Sequence, residues 1–255
     1  MGIFRFRKFC VENTESAMKV NTDGVLLGVL MSVFPEYRTC LDVGTGTGTV
    51  ALIAAQRISG LSGTVNGGMP SCSDFRIVGI DIDGPSAREA AGNFSASPWS
   101  DHLESVHVSL EDFGVRLRSG NCDIGKFDHI FSNPPYYDMS LRAPDARRNG
   151  ARHTDTLSYR ELAAFSSEFM SDRGILSVIL PSDARTWLFR HAAMCGLYPF
   201  RTVSIRTTPA KAPSRIVAEF SRSRRSVTAE ESLTLHDGPG YTPEYVSLTK
   251  DFYLW

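Results

Sequence analysis

Asn133-Pro134-Pro135-Tyr136 sets an amide, a proline-fixed carbonyl and an aromatic ring side by side. The string follows Phe127-Asp128-His129-Ile130-Phe131-Ser132, a mostly apolar run that reads as a buried strand. Two prolines straight after that run stop the strand and stiffen the turn, because proline fixes φ and has no N–H. The Asn side chain is therefore expected at the C-terminal edge of a strand, where open α/β sheets place their ligands. An amide oxygen and a fixed carbonyl accept hydrogen bonds from an NH2 group, and an aromatic face stacks on the ring that bears it. That set points to methylation of the amino group of a nucleobase. Four residues taken alone also fit a strand-ending turn with a packed Tyr, so the elements around them decide.

Thr39-Cys40-Leu41-Asp42-Val43 reads as a strand that enters the turn Gly44-Thr45-Gly46-Thr47-Gly48, and Thr49–Arg57 has helical composition. The spacing is Gly-x-Gly-x-Gly. Hydride-transfer enzymes use Gly-x-Gly-x-x-Gly, with pyrophosphate on the helix N-terminus. Asp42 would repel a pyrophosphate and suits a cationic ligand end, such as the amino group of S-adenosylmethionine. Arg76–Asp83 reads as a second strand ending in acids. A carboxylate there can accept both ribose hydroxyls, a place given to Asp81, with Ile82 beside it. Asp83 is expected to cap the helix Gly84–Ala96. Val106–Phe113 reads as a third strand and its exit turn, which holds Leu110 and Glu111. Met18–Gly28 reads as a polar loop running into an apolar helix, capped by Thr22 or Asp23. Lys19, Thr22 and Asp23 are counted with the cofactor site, because a helix N-terminus offers N–H groups to a carboxylate.

Further on, Tyr159–Met170 reads as a helix, Gly174–Pro181 as a strand and Asp183–Cys195 as a helix. Tyr198–Ile205 and Arg215–Ser221 read as a closing antiparallel pair. Alternating strands and helices imply a mostly parallel sheet. The chain of 255 residues is long enough for one α/β domain over 1–255, with 1–37 as a preface to the core 38–255. Ser59–Asp74, rich in Gly and Ser, reads as a long loop.

The net charge of −1 says nothing of a nucleic-acid partner, but its distribution does. Phe200–Arg225 carries seven basic residues against one acid, Glu219, and Arg142–Arg152 carries four arginines against Asp145. Arg147, Arg148, Arg152, Arg206, Lys211 and Arg215 are the expected RNA contacts on a phosphate-facing surface. The five cysteines are scattered without metal-ligand spacing, so no metal is expected and a reduced, cytoplasmic protein is the simple reading. No run of about 18 apolar residues predicts a membrane span, and the N-terminus lacks a signal-peptide core.

With these motifs in order, the chain resembles the class I, Rossmann-like S-adenosylmethionine-dependent methyltransferases, and within them the bacterial tRNA1(Val) (adenine-37-N6)-methyltransferases. The resemblance runs over nearly the whole chain. It includes Phe4-Arg5-Phe6-Arg7-Lys8-Phe9, Met18–Gly28, Ser97-Pro98-Trp99, Ser132–Tyr137, Arg152–Leu157 and Tyr241–Leu254. It implies a seven-stranded sheet with one antiparallel closing strand and helices on both faces. It also implies S-adenosylmethionine as cofactor, with Asp42, Gly44, Gly46, Gly48 and Asp81 around it, and Asn133–Tyr136 as the target-base site. The implied substrate is the adenosine 3′ of the anticodon in a valine tRNA, and a monomer is expected. Leu110 stands where this class usually has an acid for the cofactor's adenine. A release-factor glutamine amide, a DNA adenine and ribosomal RNA are the competing substrates. A non-catalytic RNA-binding module is the competing class, and the intact Gly and Asn-Pro-Pro-Tyr motifs argue against it.

Overall fold

The computed structural model describes residues 2–61, 74–120, 123–135 and 157–254. A short hairpin opens the chain, β1 (Ile3–Arg5) and β2 (Cys10–Glu12), followed by helix α1 (Thr22–Leu30). The alternating stretch is β3 (Thr39–Val43), α2 (Thr49–Leu61), β4 (Arg76–Asp81), α3 (Gly84–Ser95), β5 (Leu103–His107), α4 (Leu110–Arg118) and β6 (Phe127–Ser132). It continues with α5 (Tyr159–Phe169), β7 (Met170–Pro181), α6 (Arg185–Met194), β8 (Tyr198–Arg206) and β9 (Arg215–Ser221). The chain ends with β10 (Ala229–Thr234), the small hairpin β11 (His236–Asp237) and β12 (Gly240–Tyr241), and α7 (Pro243–Thr249).

The main sheet runs β10-β8-β9-β7-β6-β3-β4-β5, eight strands where seven were expected. Only β9 runs against the rest, pairing antiparallel with both β7 and β8. The added strand, β10, lies parallel to β8 at the edge. Its sequence Ala-Glu-Glu-Ser-Leu-Thr buries only Leu233, so it shows no apolar alternation for sequence reasoning to find. The third strand also ends earlier than expected, at His107. Ser109 takes the N-cap of α4, its hydroxyl accepting from Asp112 N at 3.0 Å, so Leu110 and Glu111 lie in a helix rather than a turn. Among the described residues no helix is long and apolar enough to cross a membrane.

Two apolar layers flank the sheet. On one face α1 and α2 pack with the β1–β2 hairpin, burying Val25, Leu27, Ile53 and Phe94. On the other face α5 and α6 pack over Leu41, Ile130, Leu176 and Phe220. A polar chain crosses the first layer. His129 Nε2 lies 2.8 Å from Ser177 Oγ, which donates to Glu219 Oε1, and Glu219 Oε2 takes Arg201 Nη1 at 2.9 Å. Glu219 also accepts from Ser32 N, which ties the C-terminal end of α1 to the sheet. Burial, with the Arg57 guanidinium adding to it, pushes His129 down to about 3. An imidazole lowered in the folded state adds stability that is whole above its unfolded value and fades as pH falls toward the folded one. Urea midpoints from pH 7 to pH 4 test this: the loss of stability in the wild type should shrink in His129→Asn.

Candidate active site

The C-terminal ends of β3, β4 and β6 meet at one edge, and the sequence motifs lie there. After β3 the backbone takes φ values of 72°, 56° and 80° at Gly44, Gly46 and Gly48. A Cβ on Gly48 would sit 2.4 Å from the Phe94 ring, so that position admits nothing larger than glycine. Asp42 is buried behind the turn, its Oδ2 accepting from Thr45 Oγ1 at 2.9 Å. Burial pushes its carboxyl up to about 7, against hydrogen bonds from Thr45 and the Ala51 backbone. Its neighbours make it an organiser of the turn.

Asp81 closes β4 and reaches the same turn. Oδ2 accepts from Gly46 N at 2.8 Å and Oδ1 from Asp83 N at 2.9 Å. Burial raises its carboxyl, and those two bonds oppose the shift. Asp83 caps α3 as expected, its side chain accepting from Ser86 N at 3.0 Å. Ile82 between them is exposed, at 48%.

Residues 13–20 form a strap across the glycine turn. A Cβ on Gly46 would lie 3.6 Å from both Ser16 Oγ and Met18 O. Glu89 of α3 holds the strap, accepting from Thr14 N, Thr14 Oγ1, Glu15 N and Ser16 N. Successive N–H groups closing on one carboxylate form an anion nest. Burial would raise the Glu89 carboxyl, but the bonds from Glu15, Thr14 and Ser16 win and hold it below its ordinary value. Asn93 adds its amide to the Glu12 and Thr47 carbonyls, at 3.0 and 2.9 Å. None of these anchors stands out in the sequence, because a Glu and an Asn within α3 read as solvent-facing helix residues. Glu89→Ala should cost about 2–3 kcal/mol of stability and speed amide exchange at 14–16, measured by thermal melts and hydrogen exchange.

The strap runs into α1. The cap is Asn21, whose Oδ1 accepts from Gly24 N at 2.8 Å, and not Thr22 or Asp23 as expected. Thr22 instead opens the helix, and Asp23 turns to β9, where Arg215 Nε donates to it at 2.9 Å. Arg215 is thus engaged with a carboxylate, where the sequence suggested a phosphate contact. Arg206, at the end of β8, is half-buried, with its Nε buried and unpartnered among the described residues. Lys211 is exposed on the β8–β9 connection. Register places these residues on the motif edge: Arg215 pairs with Pro181 and Ile205, and β7 runs parallel to β6.

Asn133 follows β6 and is 8% exposed, so its amide is held rather than free in solvent. Its Nδ2 lies 3.7 Å from Met18 Sδ on the strap and 3.8 Å from the position of a Cβ on Gly24 in α1. The structure therefore brings together Asn133, the glycine turn, Asp81, the strap and the start of α1. Leu110 and Glu111 stand beyond β5, and Val108 N donates to Asp81 O at 2.9 Å. Lys19 is exposed, its Nζ donating to Thr14 O at 2.7 Å. Tyr136, Arg147, Arg148 and Arg152 lie outside the described residues.

Comparison with known proteins fits this geometry. A tRNA1(Val) (adenine(37)-N6)-methyltransferase of Bacteroides fragilis is 40% identical over 251 residues, 98% of this chain and 97% of its own length. The Porphyromonas gingivalis protein of the same description is 38% identical over 258 residues, 98% of this chain and 94% of its own. This chain belongs to the tRNA1(Val) (adenine(37)-N6)-methyltransferase family. No family model matches it. Solved structures place the family member's fold. A predicted O-methyltransferase of Agrobacterium tumefaciens superposes with a TM-score of 0.63 at 17% identity, over 90% of this chain and 96% of that one. A Listeria monocytogenes chain described as a class I S-adenosylmethionine-dependent methyltransferase gives 0.51 at 12% identity, over 88% and 65%. The fold is the Rossmann-like α/β fold of class I methyltransferases, with an eighth strand at its edge.

Proposed function

We propose that this protein transfers a methyl group from S-adenosylmethionine to the exocyclic N6 of adenosine 37 in tRNA1(Val). The observation that carries the reading is Asn133, held at the end of β6 between α1 and the strap, beside the glycine turn. The names of relatives similar over the whole chain support the choice of tRNA and of position.

The residues present fit the cofactor. The turn takes positive φ at three glycines, and the carboxylate at the end of β4 already organises it. S-adenosylmethionine would supply an electrophilic methyl group on its sulfonium. Asp81 offers its remaining lone pairs to ribose hydroxyls. The strap lies over the turn at Gly46 and leaves Gly44 open to a ligand. Ile82 presents apolar surface for the cofactor's adenine, with Leu110 and Glu111 nearby at the start of α4.

The adenine NH2 is a poor nucleophile, because its lone pair is delocalised into the ring. Asn133 Oδ1 and the Pro134 carbonyl accept its two hydrogens and draw the nitrogen toward tetrahedral geometry. That frees the lone pair for the methyl group. Tyr136 stacks on the base, and an anticodon-loop base is cheaper to extrude than one in a duplex. Positioning supplies much of the acceleration. No strong base is needed, since the proton can leave after transfer. Arg206 and Lys211 on the motif edge, with Arg147, Arg148 and Arg152, guide the RNA phosphates.

The test is transfer of labelled methyl to total tRNA from cells lacking this gene, with nucleoside analysis. N6-methyladenosine in a valine tRNA is expected. No labelling of tRNA by protein that binds S-adenosylmethionine would overturn the substrate.

A further inference from the structure

We propose that the cavity between the β1–β2 hairpin and the strap is a second RNA subsite, with Lys19 on the phosphate and Phe4 against the base of the nucleotide next to the target adenosine. It rests on the reading of the site as one that acts on RNA.

The cavity measures about 510 Å3 and is lined by Gly2, Ile3, Phe4, Asn13, Thr14 and Lys19. A volume between roughly 300 and 1,000 Å3 is usual for a small-ligand site, and a nucleotide fits it. It is separate from the cofactor turn because the strap has two sides. The inner side turns Ser16 Oγ and Met18 O toward Gly46, and Met18 Sδ toward Asn133. The outer side carries Lys19, whose ammonium is tethered to the Thr14 carbonyl at 2.7 Å. Met18 and Lys19 are consecutive, so about 3.8 Å of chain separates the residue touching Asn133 from the one facing the cavity. A base placed at Asn133 leaves its neighbour in the strand beside Lys19.

Charge and ring chemistry agree on the occupant. Lys19 is the one charged residue among those lining the cavity. The hairpin around it exposes Arg5, Arg7 and Lys8, of which Arg7 donates to the Lys250 carbonyl and Lys8 lines a separate cavity beside α7. The opposing acids are Glu12 and Glu15, and Glu15 lies 3.7 Å from Arg88. The excess is positive, as a polyanion requires. Phe4 is braced by Phe6 at 4.8 Å and 52° and by Tyr253 at 6.2 Å and 61°. Bracing fixes the ring, and its half-exposed remainder lines the cavity. Unstacked RNA bases lie on such rings. Lys19, expected with the cofactor, is assigned by this geometry to the substrate.

The test uses the full chain with S-adenosylhomocysteine bound and a fluorescent valine-tRNA anticodon stem-loop, read by anisotropy across a salt series. Lys19→Gln keeps an N–H donor on a stem one atom shorter and removes the charge. It should weaken RNA binding about tenfold at low salt and lower the slope of log K against log salt by about 0.7. Lys19→Arg should restore both. Phe4→Leu should weaken binding about tenfold with the slope unchanged. Calorimetric affinity for S-adenosylmethionine should not move in any of them. Unchanged RNA affinity or slope in Lys19→Gln overturns the subsite, as does a loss of cofactor affinity, which would return Lys19 to the cofactor. Wild-type protein that binds no stem-loop overturns it too. Wild-type protein that binds RNA and methylates none defeats the proposed reaction, and the binding variants still decide the subsite.

Discussion

Asn133→Ala is expected to lower methyl transfer about 10³-fold, the scale of losing a preorganised polar contact to a reacting group. Affinity for S-adenosylmethionine should stay within a few-fold. The split follows from position. Asn133 stands at the end of β6, while the glycine turn and Asp81 belong to β3 and β4. The alanine side chain removes the acceptor and leaves the Pro134 carbonyl alone on the NH2 group, so the nitrogen stays nearer to planar. Asn133→Asp separates acceptor chemistry from shape. Aspartate keeps an oxygen where Oδ1 was and loses the amide hydrogens that face Met18 Sδ. It should retain far more activity than alanine, because the nitrogen needs acceptors and not donors. Single-turnover rates with calorimetric cofactor affinity read both effects. If alanine loses cofactor affinity as much as rate, Asn133 belongs to the cofactor pocket. If aspartate is as inactive as alanine, the acceptor account of the mechanism falls.

The parts of this site that the sequence made legible are those where one residue type alone meets the local demand. Gly48 is such a place, since a Cβ would strike the Phe94 ring at 2.4 Å. The Pro134-Pro135 stop after an apolar run is another, and so is the Asp81/Asp83 division, where one acid ends the strand and the next caps the helix. What stayed hidden depends on partners far apart in the chain. Glu89 lies 73 to 75 residues from the strap groups it holds, and Arg215 lies 192 from Asp23. Nothing in the local pattern of either residue says that it is engaged. The missed edge strand β10 has a different cause: its ladder to β8 is made by backbone, which leaves its side chains solvent-facing and its sequence polar. The early end of the third strand is a capping effect. Ser109 and Asp112 bond to each other, and that start signal outweighs the β-branched Val106 and Val108 before it.

Asp81→Ala should weaken S-adenosylmethionine binding by about 100-fold, as expected for losing charge-assisted bonds worth together roughly 3 kcal/mol. Two causes could produce that loss. Asp81 would bond ribose hydroxyls directly, and it also holds Gly46 N at 2.8 Å and Asp83 N at 2.9 Å. Loss of those two bonds would loosen the turn whatever ligand sat in it. A 2′-deoxy analogue of S-adenosylhomocysteine tells them apart through a double-mutant cycle. If the carboxylate bonds ribose, the wild type prefers the ribose ligand over the deoxy analogue, and Asp81→Ala loses that preference. If Asp81 only organises the turn, the alanine variant binds both ligands more weakly by one factor, and the preference survives unchanged. The burial of Asp81 argues for a large coupling, since a carboxylate already raised above its ordinary value gains most from new donors to its charged form. An unchanged dissociation constant for S-adenosylmethionine in Asp81→Ala would remove Asp81 from the cofactor site altogether.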